Sequence, residues 1–149
     1  MIVFPDVSMV LMADGTVLPI SMVDRFDEVF DVDCGPVRPW AITSGSFDAD
    51  LAYISVGMNA SPLICTGATK ISSRVLRSGR MTSGWFRADE IRVGDMLEVY
   101  DKENPWKIGT VLHNGSVYWP VEYVSTIKYR GGVTSLSGMQ FTVDGFVVS

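Results

Sequence analysis

Three side chains in this 149-residue chain could act as nucleophile, proton carrier or soft metal ligand: Cys34, Cys65 and His113. A thiol becomes reactive when a nearby base or positive field favours its thiolate, and a zinc site needs three or four N, S or carboxylate donors converging on one point. Cys65 sits in Leu63-Ile64-Cys65-Thr66-Gly67, an apolar run with no helix start to lower its pKa. His113 sits in Leu112-His113-Asn114-Gly115, where Asn-Gly marks a turn. The expectation is a turn-flanking histidine and two small buried hydrophobes, with no metal and no cofactor. A Cys65–His113–Asp triad and a Cys34/Cys65/His113 zinc site are the alternatives. Carboxylates Asp24, Asp27, Glu28, Asp31 and Asp33 gather around Phe26 and Phe30. Asp27, Asp31 and Asp33 share one strand face by period-two counting, but their spacing is not that of an EF-hand loop. Solvent-facing alternation is expected there.

These groups must be positioned by a scaffold that composition already narrows. Apolar residues are 47% of the chain and charged ones 19%, fewer than the roughly 25% of average soluble domains, which suggests a partner surface. The net charge is −5, and the densest basic stretch, Lys70 to Arg92, is broken by apolar and acidic residues. A nucleic-acid partner is therefore not expected, because phosphate neutralisation takes a clustered basic face. The N-terminus lacks a signal-peptide pattern and no apolar run approaches the ~20 residues of a membrane span. A soluble protein, cytoplasmic at synthesis and with both thiols free, is expected.

β-branched and aromatic residues dominate, and turn residues recur about every eight to twelve positions, the rhythm of an all-β domain. Strands are predicted over 8–12, 16–20, 27–33, 52–57, 63–66, 71–81, 96–100, 107–112, 117–123, 124–129, 133–137 and 140–148. Cys34 to Pro39 reads as a loop, because two prolines and a glycine cannot sit in a central ladder. Ala88-Asp89-Glu90 reads as one short helical turn. No repeat, linker or long helical periodicity breaks the chain, so residues 1–149 are expected to form a single domain.

Three phrases, in order, resemble Hint (hedgehog/intein) domains. The opening Val3 to Ile20 is similar to the family's first segment, where a nucleophilic Cys is followed by a Thr five positions on, a strand, an Asp-Gly turn and Pro-Ile. Met22 to Val29 resembles the continuation "I-x-x-V-x-x-G-D-x-V", with Phe26 where Gly is usual. Gly84-Trp85-Phe86-Arg87-Ala88-Asp89-Glu90-Ile91-Arg92-Val93-Gly94-Asp95-Met96-Leu97 resembles the internal "W-x-x-A-x-x-L-x-x-G-D-x-L". The tail, Val133 to Leu136 and Gln140 to Ser149, resembles the closing hairpin that ends in His-Asn. The resemblance implies an all-β, horseshoe-like or barrel-like domain of many short strands. Residues 35–52 and 103–119 have no clear counterpart.

The resemblance also implies where autoprocessing residues should stand, and each place holds an unsuitable side chain. Val3 matches the nucleophile. Ser8 matches the Thr five places on, where turn hydrogen bonding is the expected role. Met58 and Ser61 are the best match for the Thr and His of "Thr-x-x-His", whose His works on the scissile amide. Ser149 matches the penultimate His, and no Asn follows. A catalytically inactive member is expected, acting as a structural or interaction subunit of a larger protein assembly, and specifically as a phage virion component. Trp40, Trp106 and Trp119, read as loop residues beside prolines, are the interface candidates. One alternative is an autoprocessing enzyme using Ser8 or Cys34, against which the Met1 start argues. Another is a β-barrel binding a small molecule or glycan on those tryptophans.

Overall fold

A computed structural model describes residues 2–57, 60–100, 110–111 and 116–149. In chain order the described strands are β1 Phe4–Pro5, β2 Met9–Leu11, β3 Val17–Pro19, β4 Val29–Asp31, β5 Gly35–Val37, β6 Ala41–Ser55, β7 Leu63–Cys65 and β8 Lys70–Arg77. They continue with β9 Arg80–Arg87, β10 Met96–Tyr100, β11 Thr110–Val111, β12 Ser116–Pro120, β13 Tyr123–Ser137, β14 Phe141–Val143 and β15 Phe146–Val148. Two single 3-10 turns, Ile20–Met22 and Ala88–Glu90, are the helical segments among the described residues. The expected all-β class is the observed one.

One sheet runs β11-β12-β10-β8-β15-β14-β2-β3, with β9 on the remaining side of β8. Because β8 pairs with β9, β10 and β15, this sheet curls into a half-barrel. A second sheet runs β1-β13-β6-β7, and β4 pairs with β5. Along β8 the inward positions Ile71, Ser73 and Val75 alternate with outward ones, the period of a strand covered on one face. β14 and β15 are buried at every position and read as continuous apolar runs. Their turn needs two left-handed residues, supplied by Asp144 (φ 51°) and Gly145 (φ 90°).

The core gathers Phe4, Val10, Ile20, Ile54, Leu63, Ile71, Leu97, Phe141 and Phe146 from both sheets, each at most 1% exposed. Phe4 meets Phe141 edge-on with ring centroids 5.8 Å apart. Burying one such side chain contributes about 1.5–3 kcal/mol.

Four sequence expectations need correction. The single strand predicted over 71–81 is broken at Ser78-Gly79, whose positive φ values turn the chain from β8 into β9. Gly35–Val37, expected as a loop, is β5; Pro36 is tolerated because β5 is an edge strand paired with β4 alone. Residues 41–50, without a predicted strand, are the first part of β6, a 15-residue strand. The separate strands predicted at 124–129 and 133–137 are one strand, β13, which continues through Gly131 and Gly132. β6 and β13 pair without a break from Tyr123↔Ser55 to Ser137↔Ala41. Gly132 is needed in that run: a Cβ there would strike the Asp6 carboxylate, which accepts a 2.7 Å bond from Thr134 Oγ1.

Candidate functional site

Residue 3 lies just before β1 and meets the turn that follows β7. The Val3 side chain is 1% exposed, and its backbone is gripped by one residue. The Val3 N–H donates to Thr66 Oγ1 at 3.0 Å, and the Thr66 N–H donates to the Val3 carbonyl at 3.2 Å. Thr66 Oγ1 also lies 3.1 Å from Thr69 Oγ1, and both threonines are buried.

The turn 66–69 is held tightly by its neighbours. The Thr69 N–H closes it on the Thr66 carbonyl at 3.0 Å. From the 3-10 turn after β9, the Ala88 N–H donates to the Thr69 carbonyl at 2.8 Å and the Asp89 N–H to the Gly67 carbonyl at 3.0 Å. A Cβ on Gly67 would come within 3.1 Å of the Asp89 side chain, so a larger residue would push the two turns apart. The other end of the chain meets the same segment: the Ser149 N–H donates to the Lys70 carbonyl at 2.9 Å. Segment 66–70 therefore touches both residue 3 and residue 149.

Neutral hydroxyls can hold an amide here but cannot protonate it near neutral pH, because a serine or threonine hydroxyl has no titration in that range. The nearest thiol is inert by the same measure. Burial pushes the Cys65 thiol up to about 12, with only partial relief from the Thr69 hydroxyl.

A second feature is an open cleft of about 760 Å³ lined by Ile2, Cys34, Ser135, Ser137, Gln140 and Ser149, among others. Cys34 is exposed there, whereas Cys65 is fully buried, so the expectation of two buried cysteines holds for Cys65 alone. Asp31 forms the floor of this region: it is 5% exposed and accepts from the N–H groups of Asp33, Cys34 and Gln140. It is a buried structural acceptor rather than a solvent-facing residue. Asp24 and Asp27 close their own turn, Asp24 accepting from the Phe26 N–H and Asp27 from the Asp24 N–H. Among the described residues no three His, Cys, Asp or Glu side chains converge as a metal site.

The two turn phrases that carry the resemblance, Gly94-Asp95 and Asp144-Gly145, have local roles. Gly94 takes φ 94°, and Asp95 then accepts a bidentate pair from Arg77 at 2.7 and 2.8 Å and the Arg92 N–H at 2.8 Å. Burial alone would raise the Asp95 carboxyl, but these donors outweigh it and hold it below the usual carboxylate range. At the other turn, burial pushes Asp144 up, partly offset by the Met9 N–H.

Of the remaining sequence candidates, Ser61 is exposed and Ser8 is buried in the turn after β1, its N–H bonded to the Pro5 carbonyl at 2.9 Å. Met58, Trp106 and His113 lie outside the described residues. Trp40 is 85% exposed, but Trp119, inside the predicted strand 117–123 although also read as a loop residue beside Pro120, lies in β12 opposite Leu97 and is 6% exposed, so its ring offers no area to a partner. Thr66 and Thr69 were not among the candidates. The phrase Thr66-Gly67-Ala68-Thr69 has the Thr-x-x spacing in plain view, but without a His at its end it reads as an ordinary turn.

No protein-family model matches the chain, and no curated protein matches it in sequence. Solved structures do match. A DnaB intein from Synechocystis sp. PCC 6803 superposes with a TM-score of 0.71 at 12% identity, covering 99% of this chain and 97% of that one. This chain has the Hint fold. The TvoVMA intein gives a TM-score of 0.64 at 17% identity over 99% and 96% of the two chains. A transcription factor IIB Mvu mini-intein gives 0.68 at 14% over 98% of each. The Hint fold thus extends over residues 35–52, which had no counterpart in sequence. Among the described residues no helix is long and apolar enough to cross a membrane.

Proposed function

We propose that residues 1–149 act as one Hint-fold domain without autoprocessing chemistry, serving as a structural or interaction subunit of a larger protein assembly. The observation that carries this is the pairing of Val3 with Thr66, whose hydroxyl lies 3.1 Å from that of Thr69. In the Hint resemblance, residue 3 is the place of the nucleophile, and a Thr-x-x-His turn addresses its amide. The sequence match puts that phrase at Met58 and Ser61; the turn that reaches the amide is Thr66-x-x-Thr69, and Thr69 is read here at the place of the His. A buried valine cannot attack a carbonyl, and a neutral hydroxyl cannot activate the scissile amide.

The partners are proteins rather than nucleic acid or membrane, in keeping with the −5 net charge and the exposed Trp40. Synthesis in the cytoplasm and incorporation into a phage virion are the specific setting proposed. The native mass of the protein taken from its own source tests this reading. A stable complex far above one chain, or recovery in purified particles, is expected; a free monomer absent from particles would overturn it.

A second reading has one observation in its favour: the exposed Cys34 shares a cleft with Ile2 and Ser149. An autoprocessing domain with Cys34 as an atypical nucleophile would release a shorter chain in cells. Its absence from intact-mass spectra would remove that option.

A further inference from the structure

The long β6–β13 ladder leaves one side of β6 open. β13 covers β6 from Ala41 to Ser55, but on the other side β7 covers only Ala52 to Ile54. Residues 41–51 therefore have no second neighbouring strand among the described residues. Three bonds fix which way the backbone groups of this edge point. The Asp6 N–H reaches the Gly132 carbonyl on the β1 side of β13, while the carbonyls of Ser137 and Ser55 accept from Trp40 and Glu122 across the ladder. Backbone groups of successive strand residues point to alternate sides, so the odd-numbered residues of both strands pair within the ladder. Ile42, Ser44, Ser46, Asp48 and Asp50 then turn their N–H and C=O groups to the open edge.

The first part of this edge, residues 41–47, lacks the features that keep an edge from pairing. Thr43 to Ser46 are exposed, the tract holds no charge and no proline, and its register with β13 runs without a bulge. Asp48 and Asp50 follow it, opposite Arg130 and Lys128 of β13. Two other open edges carry cations: β9 begins and ends on arginine, and the free side of β13 runs past Lys128 and Arg130.

We propose that residues 41–47 pair antiparallel with the same segment of a second copy of this chain, about a two-fold axis at Ser44. This rests on the proposed role as an assembly subunit and names the partner. An antiparallel edge is its own complement: each outward residue offers one donor and one acceptor, and a two-fold axis brings up the matching acceptor and donor. In this register Ser44 meets Ser44, and Ile42 of each copy meets Ser46 of the other, so outward groups face outward groups at each pair. Seven uncharged residues lie against seven uncharged residues. The carboxylates stay outside the paired tract and do not oppose one another, because Asp48 falls level with Trp40 of the other copy. On the alternate face Phe47, half-buried, lies beside Ala41 of the other copy. Main-chain hydrogen bonds supply the affinity, as in strand addition to any exposed edge, and the two β6–β13 ladders become one sheet.

The test is sedimentation velocity on the purified chain and on Ser44→Pro, joined to disulfide capture. The wild type is expected to shift from the mass of one chain to that of two as concentration rises. Ser44→Pro removes an outward N–H and leaves the ladder with β13 intact, so it should stay monomeric over the same range with an unchanged circular dichroism spectrum. For capture, Ser44→Cys in a Cys34→Ser background sets two thiols on the axis with Cα atoms about 5.5 Å apart, within disulfide reach. Mild oxidation should give a covalent dimer there and none with Asp50→Cys in the same background, since residue 50 lies roughly 40 Å from its own copy. A wild type monomeric at every concentration, or a dimer that Ser44→Cys does not capture, would overturn this pairing. A pure chain that is monomeric but held in a complex with other proteins at its source would sink the self-pairing and leave the subunit role standing. A free monomer at the source would sink the subunit role itself.

Discussion

The backbone of Val3 and that of Thr66 exchange hydrogen bonds: the Thr66 hydroxyl takes the Val3 N–H at 3.0 Å, and the Thr66 N–H reaches the Val3 carbonyl at 3.2 Å. Both residues are buried, so neither bond can be replaced by water without rearrangement. Thr66→Val keeps the shape but leaves the Val3 N–H without an acceptor, at a cost of about 1–3 kcal/mol. Thr66→Ser retains the oxygen and should recover most of that. Urea unfolding midpoints of the two variants check the difference.

Cys65 makes stability fall at high pH. Its thiol is held up to about 12 in the folded chain against an ordinary value of 9.0, so between these values the unfolded state has lost a proton that the folded state keeps. Stability is full below pH 9 and falls by about 1.4 kcal/mol for each pH unit above it until the folded thiol titrates. Cys65→Ala removes that slope. Urea unfolding of both proteins from pH 8 to 11 should show the gap between them shrinking as pH rises.

Arg77 and Asp95 act at the opposite end of the pH scale. Asp95 is 3% exposed and its carboxyl is held below 3.8. The pair therefore stabilises the fold above the unfolded-state value and loses that contribution as pH falls through the folded one. Arg77→Met leaves Asp95 with backbone donors only, which should cost about 2–3 kcal/mol at pH 7 and less in acid, where the unpaired carboxyl is protonated. Acid-unfolding curves of variant and wild type should converge towards low pH.

Two of the tryptophans should answer differently to truncation. Trp119→Ala opens a cavity between β10 and β12 and should cost about 3–5 kcal/mol. Trp40→Ala, at an 85% exposed position, should shift stability by less than about 0.5 kcal/mol. Thermal unfolding of the two single variants measures both.

Local turn chemistry carried most of what could be read from the sequence. Asp144-Gly145 adopts paired positive φ and closes the tail hairpin that the resemblance implied, whereas Ser78-Gly79 does the same inside the stretch 71–81 that was read as one strand. Met96–Tyr100 alternates inward and outward, and Ala88–Glu90 forms the short turn expected of it. β6 escaped because Thr43 to Asp50 is polar, glycine-bearing and largely exposed; its strand conformation is imposed by pairing with β13, not by an apolar rhythm. Gly131-Gly132 reads as a break for the same reason, since only the Asp6 side chain against Gly132 explains the glycine. Trp119 falls in the strand predicted over 117–123, but its interface reading took Trp-Pro as a loop, whereas Pro120 sits at the end of β12. At the junction, Val3 was legible as the residue to watch, but Thr66 and Thr69 were not. They reach Val3 only through a contact 63 residues away in sequence.

The most direct test joins a stable folded protein to the N-terminus of this chain and follows intact mass over days, with and without an added thiol. The expected result is an unchanged fusion mass in both conditions, because Val3 has no nucleophilic atom and the Thr66 hydroxyl, beside that of Thr69, holds its amide without protonating it. Release of the upstream protein by scission of the Ile2–Val3 bond, spontaneous or thiol-driven, would contradict the loss of autoprocessing chemistry.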